Sequence, residues 1–327
     1  MIKMIIKLCA LAFMLGILAN RPSLAQANDY PAKPIRLVVT LPPGGAAEIL
    51  ARAIGTRLSQ SWGKPVLIDP RPGASGLIAS NIVAKAAPDG YTLLLTLTND
   101  VIAANIMKNV PYDIVRDFTP IARLAVSGFM LVVNPGVPVK TVPELLALAR
   151  AKPGTLSYGT AGEGSTSHLG GVILEQKAGI KLLHVPYKGA AESVNDTIAG
   201  HVSMTFINTV NGMAFVRSGK LRALAVTVPN RLELVPDIPT LAETGLPGYE
   251  MSVWFGIKGP AGMPPEIVRK LSDELLKIVA QPAFRDQLKS FGAEPAPLGS
   301  EAFSAYYAAE VGRWGQAVKQ AGVRPTE

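Results

Sequence analysis

Two glycine-rich stretches could bring backbone N–H groups to a bound molecule. The first, Pro42-Pro43-Gly44-Gly45, follows an apolar run and precedes a helical pattern. The second, GTAGEGS at 159–165, also lies between a strand pattern and a helical pattern. Glycine permits sharp turns and close backbone approach, and the free N–H groups at a helix start favour anions. The two stretches therefore predict one anion site that both loops share.

Polar residues where other predicted strands end extend this candidate site. Ser165 and Thr166 stand at a predicted helix start, Thr98 and Asn99 follow a strand, and Lys188 is the charged side chain best suited to an anion. The predicted ligand-binding residues are Pro43, Gly44, Gly45, Ala46, Ala47, Thr98, Asn99, Thr160, Gly162, Gly164, Ser165, Thr166, His168, Tyr187, Lys188 and Asn208.

Motifs typical of nucleotide and hydrolase sites are missing. The sequence contains no G-x-G-x-x-G dinucleotide fingerprint in either stretch, no Walker phosphate loop and no G-x-S-x-G elbow. His168, His184 and His201 do not have the spacing of metal ligands. We therefore expect no cofactor, no metal and no enzymatic activity. A hydrolase that uses Ser165 and His168 stays an alternative, although no third residue is marked to orient the histidine.

The first 27 residues read as a cleaved secretory signal peptide. Two lysines precede an apolar segment from Leu8 to Ala19, and Ala25-Gln26-Ala27 resembles a cleavage site. The chain's single cysteine, Cys9, lies in this segment, so the mature protein has none to form a disulfide. This pattern predicts a periplasmic protein.

The remaining sequence alternates between strand and helix patterns, which predicts parallel α/β units. A first unit includes strands at 35–40, 66–68 and 91–97, and a second begins with a strand at 129–134. We expect an α/β fold of two hinged lobes, each with a mixed sheet flanked by helices. Residues 28–128 with 250–327 would form lobe 1, and residues 129–249 would form lobe 2. A cleft between lobes is a preferred ligand site.

The charge distribution argues against nucleic acid. The formal net charge of the whole chain is +8, and three of its basic residues, Lys3, Lys7 and Arg21, precede the predicted cleavage site. The other charges are scattered, without the basic stripe that nucleic-acid binding needs.

Eight ordered blocks of sequence resemble the Bug family, the periplasmic solute-binding receptors of tripartite tricarboxylate transporters. They read YPAKPIRLVV, PPGG followed by AR, RPGASG, AAPDGYTLL, PYDIVRDFTPIARL, HVPYKG, GKLRALAVT and PDIPTLAETGLPGYE. The resemblance implies a periplasmic-binding-protein fold of the second type. It also implies a small organic carboxylate ligand, held by backbone N–H groups of the two glycine loops.

The partners that the resemblance implies are the components of an inner-membrane permease. A sensor that presents the carboxylate to a membrane signalling partner, such as a sensor kinase, stays an alternative, and we expect a monomer in either case. Two positions depart from the family pattern, because Glu48 and Ile207 stand where many members have aspartate. Ile207 favours a carboxylate without an ammonium group.

Overall fold

A computed structural model describes residues 30–40, 46–73, 76–290 and 292–323. These residues form ten strands and ten helices. The strands are β1 (Ile35–Val39), β2 (Val66–Pro70), β3 (Thr92–Leu97), β4 (Phe118–Val133), β5 (Ser157–Thr160), β6 (Leu183–Pro186), β7 (Met204–Asn208), β8 (Arg222–Val226), β9 (Ser252–Pro260) and β10 (Glu294–Leu298). The helices are α1 (Ala46–Trp62), α2 (Leu77–Ala84), α3 (Thr98–Ile106), α4 (Val142–Ala151), α5 (Thr166–Ala178), α6 (Ala190–Ala199), α7 (Thr209–Arg217), α8 (Pro265–Ala280), α9 (Pro282–Ser290) and α10 (Ser300–Gln320).

The long strand β4 belongs to two sheet regions. Its first part, Phe118 to Gly128, pairs with β9, and the neighbouring order β2-β1-β3-β9 completes the first region. Its last part, Phe129 to Val133, pairs with β7 and with β8, and β5 and β6 follow on the β7 side. The parallel strands β1, β2 and β3 in one region and β5, β6 and β7 in the other arise from βαβ units.

Two neighbouring stretches of chain join the two regions. One is the middle of β4, and the other is Met251 and Ser252 at the start of β9. Thr227 links them, because its backbone N–H donates to the Phe129 carbonyl at 2.9 Å and its carbonyl accepts the Met251 N–H at 2.8 Å. We call these two connections between the sheet regions the two crossings, and a pair of adjacent crossings is a suitable hinge.

The C-terminal helix α10 packs across this junction. Glu310 is buried and accepts hydrogen bonds from the indole N–H of Trp254 on β9, at 2.8 Å, and of Trp314, at 3.0 Å. Trp254 also packs edge-on against Phe303 and Tyr307 of α10. Two buried indole N–H groups thus find one carboxylate partner, and α10 is held against β9.

The two-lobed α/β fold and most predicted elements are confirmed. The structure differs from the predicted local elements in three places. The strand predicted at 129–134 begins at Phe118. Pro120 and Gly128 interrupt the apolar pattern of this stretch in the sequence, but pairing on both edges keeps the backbone extended. Thr98 and Asn99, which the sequence shows only as residues that follow a strand, lie in the first turn of α3. Helix α9 and strand β10 carry weak patterns and were not predicted.

The predicted signal peptide lies outside the described residues. Among the helices that the structure describes, none has both the length and the apolar composition needed to span a bilayer. The lobe boundaries stay a prediction.

Candidate functional site

A cleft of about 1000 Å³ opens at the carboxyl ends of β3, β5 and β7, beside the two crossings. Phe129 of β4 and Val253 of β9 lie at its base. Asn99 and Ile102 of α3 line one side, and the loop that leads into α5 lines the other. Ligands in α/β proteins bind where strands end in this way.

The loop between β5 and α5 is built to hold a tight turn. Gly162 and Gly164 have φ values of 110° and 73°, in the region that glycine adopts without steric cost. The Ser165 side chain caps α5, because its Oγ accepts the His168 N–H at 3.3 Å and donates to the Gly162 carbonyl at 2.7 Å. Serine is a favoured N-cap for this reason.

A pair of stacked histidines forms hydrogen bonds to this loop. The rings of His168 and His184 lie 4.0 Å apart between centroids and 9° from parallel. His168 Nδ1 accepts the Gly164 N–H at 3.0 Å, and His184 Nε2 is 2.7 Å from the Thr160 hydroxyl. Burial, with a smaller contribution from His184, lowers the pKa of His168 to about 4. His168 is therefore neutral at pH 7, as an acceptor for the Gly164 N–H must be.

Several amides of the loop are already hydrogen-bonded within it. The N–H groups of Ala161, Gly162 and Gly164 donate to Ser167 Oγ, Thr160 Oγ1 and His168 Nδ1. In the described part of the chain, the N–H groups of Glu163, Thr166 and Ser167 have no hydrogen-bond partner.

These three unpaired amides belong to residues that line the cleft. Two of them stand in the first turn of α5, which has no acidic residue. Together with the helix dipole they can bind one anionic group. Of the backbone N–H groups from Ala161 to Ser167, these three are the ones available to a ligand.

The opposite wall begins with the first turn of α3. Asn99 is exposed and lines the cleft. Thr98 is buried, where its hydroxyl donates to the Ser252 carbonyl at 3.1 Å and accepts the Trp254 N–H at 3.0 Å. This contact fixes α3 against the start of β9. It leaves the Thr98 hydroxyl bonded within the protein.

Behind this turn lies a buried polar cluster. The Asp100 carboxylate accepts hydrogen bonds from the Thr96 hydroxyl and the Leu97 N–H, both at 3.0 Å. Lys258 of β9 is also buried, and its ammonium donates to the Tyr307 hydroxyl at 2.7 Å and lies 3.7 Å from the centre of the Phe118 ring. Burial raises the pKa of Asp100 and lowers that of Lys258, while the attraction between the two charges opposes both shifts.

Most of the remaining lining is apolar, and apart from Ile207 the sequence analysis did not single it out. The apolar lining residues outside the glycine loop are Ile102, Ala103, Ile106, Met107, Phe129, Ala190, Ala191, Val194, Phe206, Ile207, Phe215 and Val253. In the sequence these residues read as ordinary core positions of strands and helices. The amides of Asn195 and Asn211, both exposed, also line the cleft and were not predicted.

The cleft brings five of the predicted residues together: Asn99, Gly164, Ser165, Thr166 and Asn208. Gly162 and Thr160 belong to the same glycine-rich stretch but are not among the lining residues. Tyr187 donates its hydroxyl to Asp196 at 2.7 Å, and Lys188 is exposed; neither is among the lining residues. Ala47 is buried in the hydrophobic core.

The first glycine stretch, with Pro43, Gly44 and Gly45, lies outside the described residues, and the structure takes up the chain again at Ala46, the first residue of α1. Thr40, which ends the described part before this stretch, lies beside Gly76 and Asp100: a Cβ added at Gly76 would lie 3.2 Å from the Thr40 Cβ and would collide with the Asp100 carboxylate. The chain therefore enters the first glycine stretch close to the start of α3.

The geometry gives the Ser165 hydroxyl and the His168 ring separate tasks. The hydroxyl donates to the Gly162 carbonyl, and the imidazole Nδ1 accepts from the Gly164 amide. Both interactions shape the loop. Among the described residues, no group of three or more His, Cys, Asp or Glu side chains is placed to hold a metal ion.

Comparison with known proteins places these features in a family. The profile of the tripartite tricarboxylate transporter family receptor, TctC, matches residues 50–323. The chain belongs to the TctC family. The resemblance to Bug proteins is confirmed as well, because BugT of Bordetella pertussis is 32% identical over 300 residues, which cover 91% of this chain and 92% of BugT.

Solved TctC-type structures share the fold. A TctC solute-binding protein from Polaromonas, solved without ligand, has a TM-score of 0.81 and 32% identity, and covers 89% of this chain and 99% of its own. An R. palustris protein solved with adipate has a TM-score of 0.70 and 35% identity, and covers 91% of this chain and 100% of its own. The chain is therefore a TctC-family periplasmic solute-binding receptor.

Proposed function

We propose that this TctC-family receptor captures a small organic carboxylate in the cleft and delivers it to a tripartite tricarboxylate-type permease. The observation that carries the proposal is the set of three unpaired N–H groups, of Glu163, Thr166 and Ser167, on the cleft wall. Neutral amides bind a carboxylate without a charged side chain, as oriented dipoles at a helix start do. The adipate in the R. palustris relative supports a carboxylate ligand.

Capture would proceed by closure of the lobes. We infer that lobe 2 (129–249) rotates on lobe 1 (28–128 with 250–327) about the two crossings, so that Asn99 and the residues after Thr40 approach the α5 loop. Of the predicted contacts that the cleft does not already bring together, those of Pro43 to Gly45 would be made in the closed form. An anion that contacts both lobes binds the closed form better and shifts the population towards it.

The proposed role is non-enzymatic, and the protein would act as a monomer after removal of a signal peptide that ends at Ala27. The hydrogen bonds of Ser165 and His168 support this, because each has a structural partner in the loop. No described feature favours the sensor alternative. Uptake measurements separate a transport receptor from a sensor. Cells that lack the gene for a transport receptor should lose uptake of the ligand, whereas loss of a sensor should leave uptake unchanged once the permease is expressed.

The proposal is tested by calorimetry and thermal shift with a panel of mono-, di- and tricarboxylates. A ligand at one hundred times its Kd should stabilise the fold by about 2.7 kcal/mol. Gly162→Ala should abolish binding, since its Cβ would lie 3.2 Å from the Tyr187 carbonyl oxygen and the loop would have to shift.

Gly154→Ala is the matched control. Gly154 also has a positive φ, of 74°, but a Cβ there meets nothing within 4 Å. Both variants should lose about 1–2 kcal/mol of stability to backbone strain, and only Gly162→Ala should lose binding. If no carboxylate binds to the unmodified protein, the proposed function is wrong.

A further inference from the structure

The base of the cleft contains a buried serine that the site described above does not use. Ser127 of β4 pairs with Val253 of β9 and stands two residues before Phe129, and both of these neighbours lie at the base of the cleft. The side chains of paired residues, and of residues two apart in a strand, point to the same face of a sheet. The Ser127 side chain therefore points to the cleft face, although it is buried and is not among the lining residues.

Ser127 is the middle of a chain of hydrogen bonds that begins at Asn208, the N-cap of α7. Asn208 Nδ2 donates to Ser127 Oγ at 2.7 Å, and Ser127 Oγ donates in turn to the Gly292 carbonyl, also at 2.7 Å. At the other end, Asn208 Oδ1 accepts the Val210 N–H at 3.1 Å. The Val210 N–H can only donate and the Gly292 carbonyl can only accept. The orientation of the two side chains between them is therefore fixed.

The turn between α9 and β10 closes this chain of hydrogen bonds. Gly292 has a φ of 78°, in the region that glycine adopts without steric cost. A Cβ at this position would lie 2.7 Å from Val210 Cγ2 and 3.1 Å from Asn208 Oδ1, so a larger residue would push the turn away. Because β10 pairs with the first part of β4 while α7 follows β7, the hydrogen bonds connect the two sheet regions beside the crossings.

The Asn208 carboxamide keeps one donor for a ligand. A carboxamide has two N–H groups, and in the described part of the chain the Ser127 hydroxyl is the partner of one of them, while the second has none. Asn208 is half-buried and lines the cleft, so this second N–H can reach a bound acid. A side chain that is already held in one rotamer avoids the entropy cost of being ordered when the ligand binds.

We propose that Ser127 is a positioning residue for ligand binding. It holds the Asn208 carboxamide so that the second N–H donates to an oxygen of the bound acid. This inference rests on the proposed function and adds to it a residue that acts on the ligand through another side chain. Because Ser127 lies at one of the two crossings, close to the axis of the proposed lobe rotation, its contact with Asn208 would persist in the open and the closed forms.

The test is a double-mutant cycle on ligand affinity. Calorimetry first compares hexanoate, adipate, citrate and the other acids of the carboxylate panel, and the acid that binds the unmodified protein most tightly is the probe. Ser127→Ala should weaken binding about fivefold, because the ligand must then order the Asn208 side chain. Asn208→Ser keeps an N-cap oxygen for α7 but removes the carboxamide, and it should weaken binding about tenfold or more. In the Asn208→Ser background, Ser127→Ala should have less than about a twofold further effect.

Ser300→Ala is the matched control. The Ser300 hydroxyl also donates to a backbone carbonyl at 2.7 Å, that of Pro120 in β4, but neither residue is on the cleft lining. Both alanine variants should lower the melting temperature by a similar amount, and Ser300→Ala should leave the affinity within about twofold.

Three results would overturn the inference and leave the proposed function standing. The first is a loss of affinity in Ser127→Ala that is no larger than in Ser300→Ala. The second is an equal loss from Ser127→Ala with and without the Asn208 carboxamide, because Ser127 would then not act through Asn208. The third is unchanged affinity in Asn208→Ser. Absence of binding by every acid of the panel would overturn both the inference and the proposed function.

Discussion

Two helix starts contribute residues to the cleft lining, and they differ in charge. The first turn of α3 contains Asp100, whose buried carboxylate accepts the Leu97 N–H. The first turn of α5 contains no acid, and it is capped by the neutral Ser165 and steadied by the neutral His168. An acid within the first turn already interacts with the helix dipole. The start of α5 thus retains its attraction for an anion from solution. At the start of α3, the helix dipole already interacts with the Asp100 carboxylate.

Among the charge changes that test this comparison, the largest effect on carboxylate affinity is expected when an acid is introduced at the start of α5. Ser165→Asp keeps a good N-cap but places a carboxylate beside the proposed anion site. Two negative charges about 5 Å apart at an effective dielectric constant near 20 repel by roughly 3 kcal/mol, so carboxylate affinity should fall about 100-fold. Calorimetry measures the loss.

Ser165→Asn is the control for this change, because asparagine caps the helix without charge. It should bind within a fewfold of the unmodified protein. Retained affinity in Ser165→Asp would mean that the carboxylate binds away from α5 and that the contrast between the two helix starts is wrong.

Removing the acid from α3 should affect stability more than binding. Asp100→Asn leaves Lys258 buried without the carboxylate that opposes its desolvation, and the free energy of unfolding should fall by about 2 kcal/mol. Urea denaturation measures this change at pH 7.5.

The double variant Asp100→Asn with Lys258→Met removes both charges and should recover most of the lost stability. Carboxylate affinity should stay within about threefold in both variants. A large loss of affinity with unchanged stability would show that Asp100 contributes to ligand binding and not to the stability of the fold.

The same two helix starts show how far the sequence alone can lead. Gly162, Gly164 and Ser165 predict a capped turn at α5 because each residue type has one local role there. The start of α3 carries no such signal, since its N-cap is Leu97 and its acid, Asp100, reaches back from inside the helix. Thr98 and Asn99 therefore read as a turn.

The apolar lining was also beyond sequence reasoning. Phe129 and Phe215 read as core residues of a strand and of a helix, and only the three-dimensional arrangement of strand ends exposes them to the cleft. The glycine loop was predicted to present free amides, but internal acceptors such as Thr160 and His168 occupy several of them. Which amides remain free depends on rotamers and on a histidine stack that residue spacing does not encode.

The neutrality of His168 makes the α5 loop sensitive to acid. Its folded pKa, about 4, lies below the ordinary histidine value of 6.5, so the unfolded chain binds more protons between these values. Stability contributed by His168 is therefore complete above about pH 6.5 and is lost as the pH falls towards 4. Between pH 7.5 and 5.5 the loss should be about 1 kcal/mol, measured by urea denaturation at each pH.

His168→Asn supplies a neutral acceptor for the Gly164 N–H and should reduce this acid sensitivity. Burial lowers the pKa of His184 as well, so part of the slope will remain. His201→Asn, at an exposed histidine, should keep the full slope. An unchanged slope in His168→Asn would mean that His168 does not hold the loop by its neutral form.

The smallest effect is expected from Lys188, the charged residue that sequence reasoning favoured. It is exposed and two residues before the lining residue Ala190. Water and salt screen an exposed charge of this kind, so Lys188→Gln should change carboxylate affinity by less than about threefold. Calorimetry at 20 mM and 200 mM salt measures both the affinity and its salt dependence. A tenfold loss that disappears at high salt would bring Lys188 into the ligand site on closure, and anion recognition would then be shared between the α5 amides and a cation.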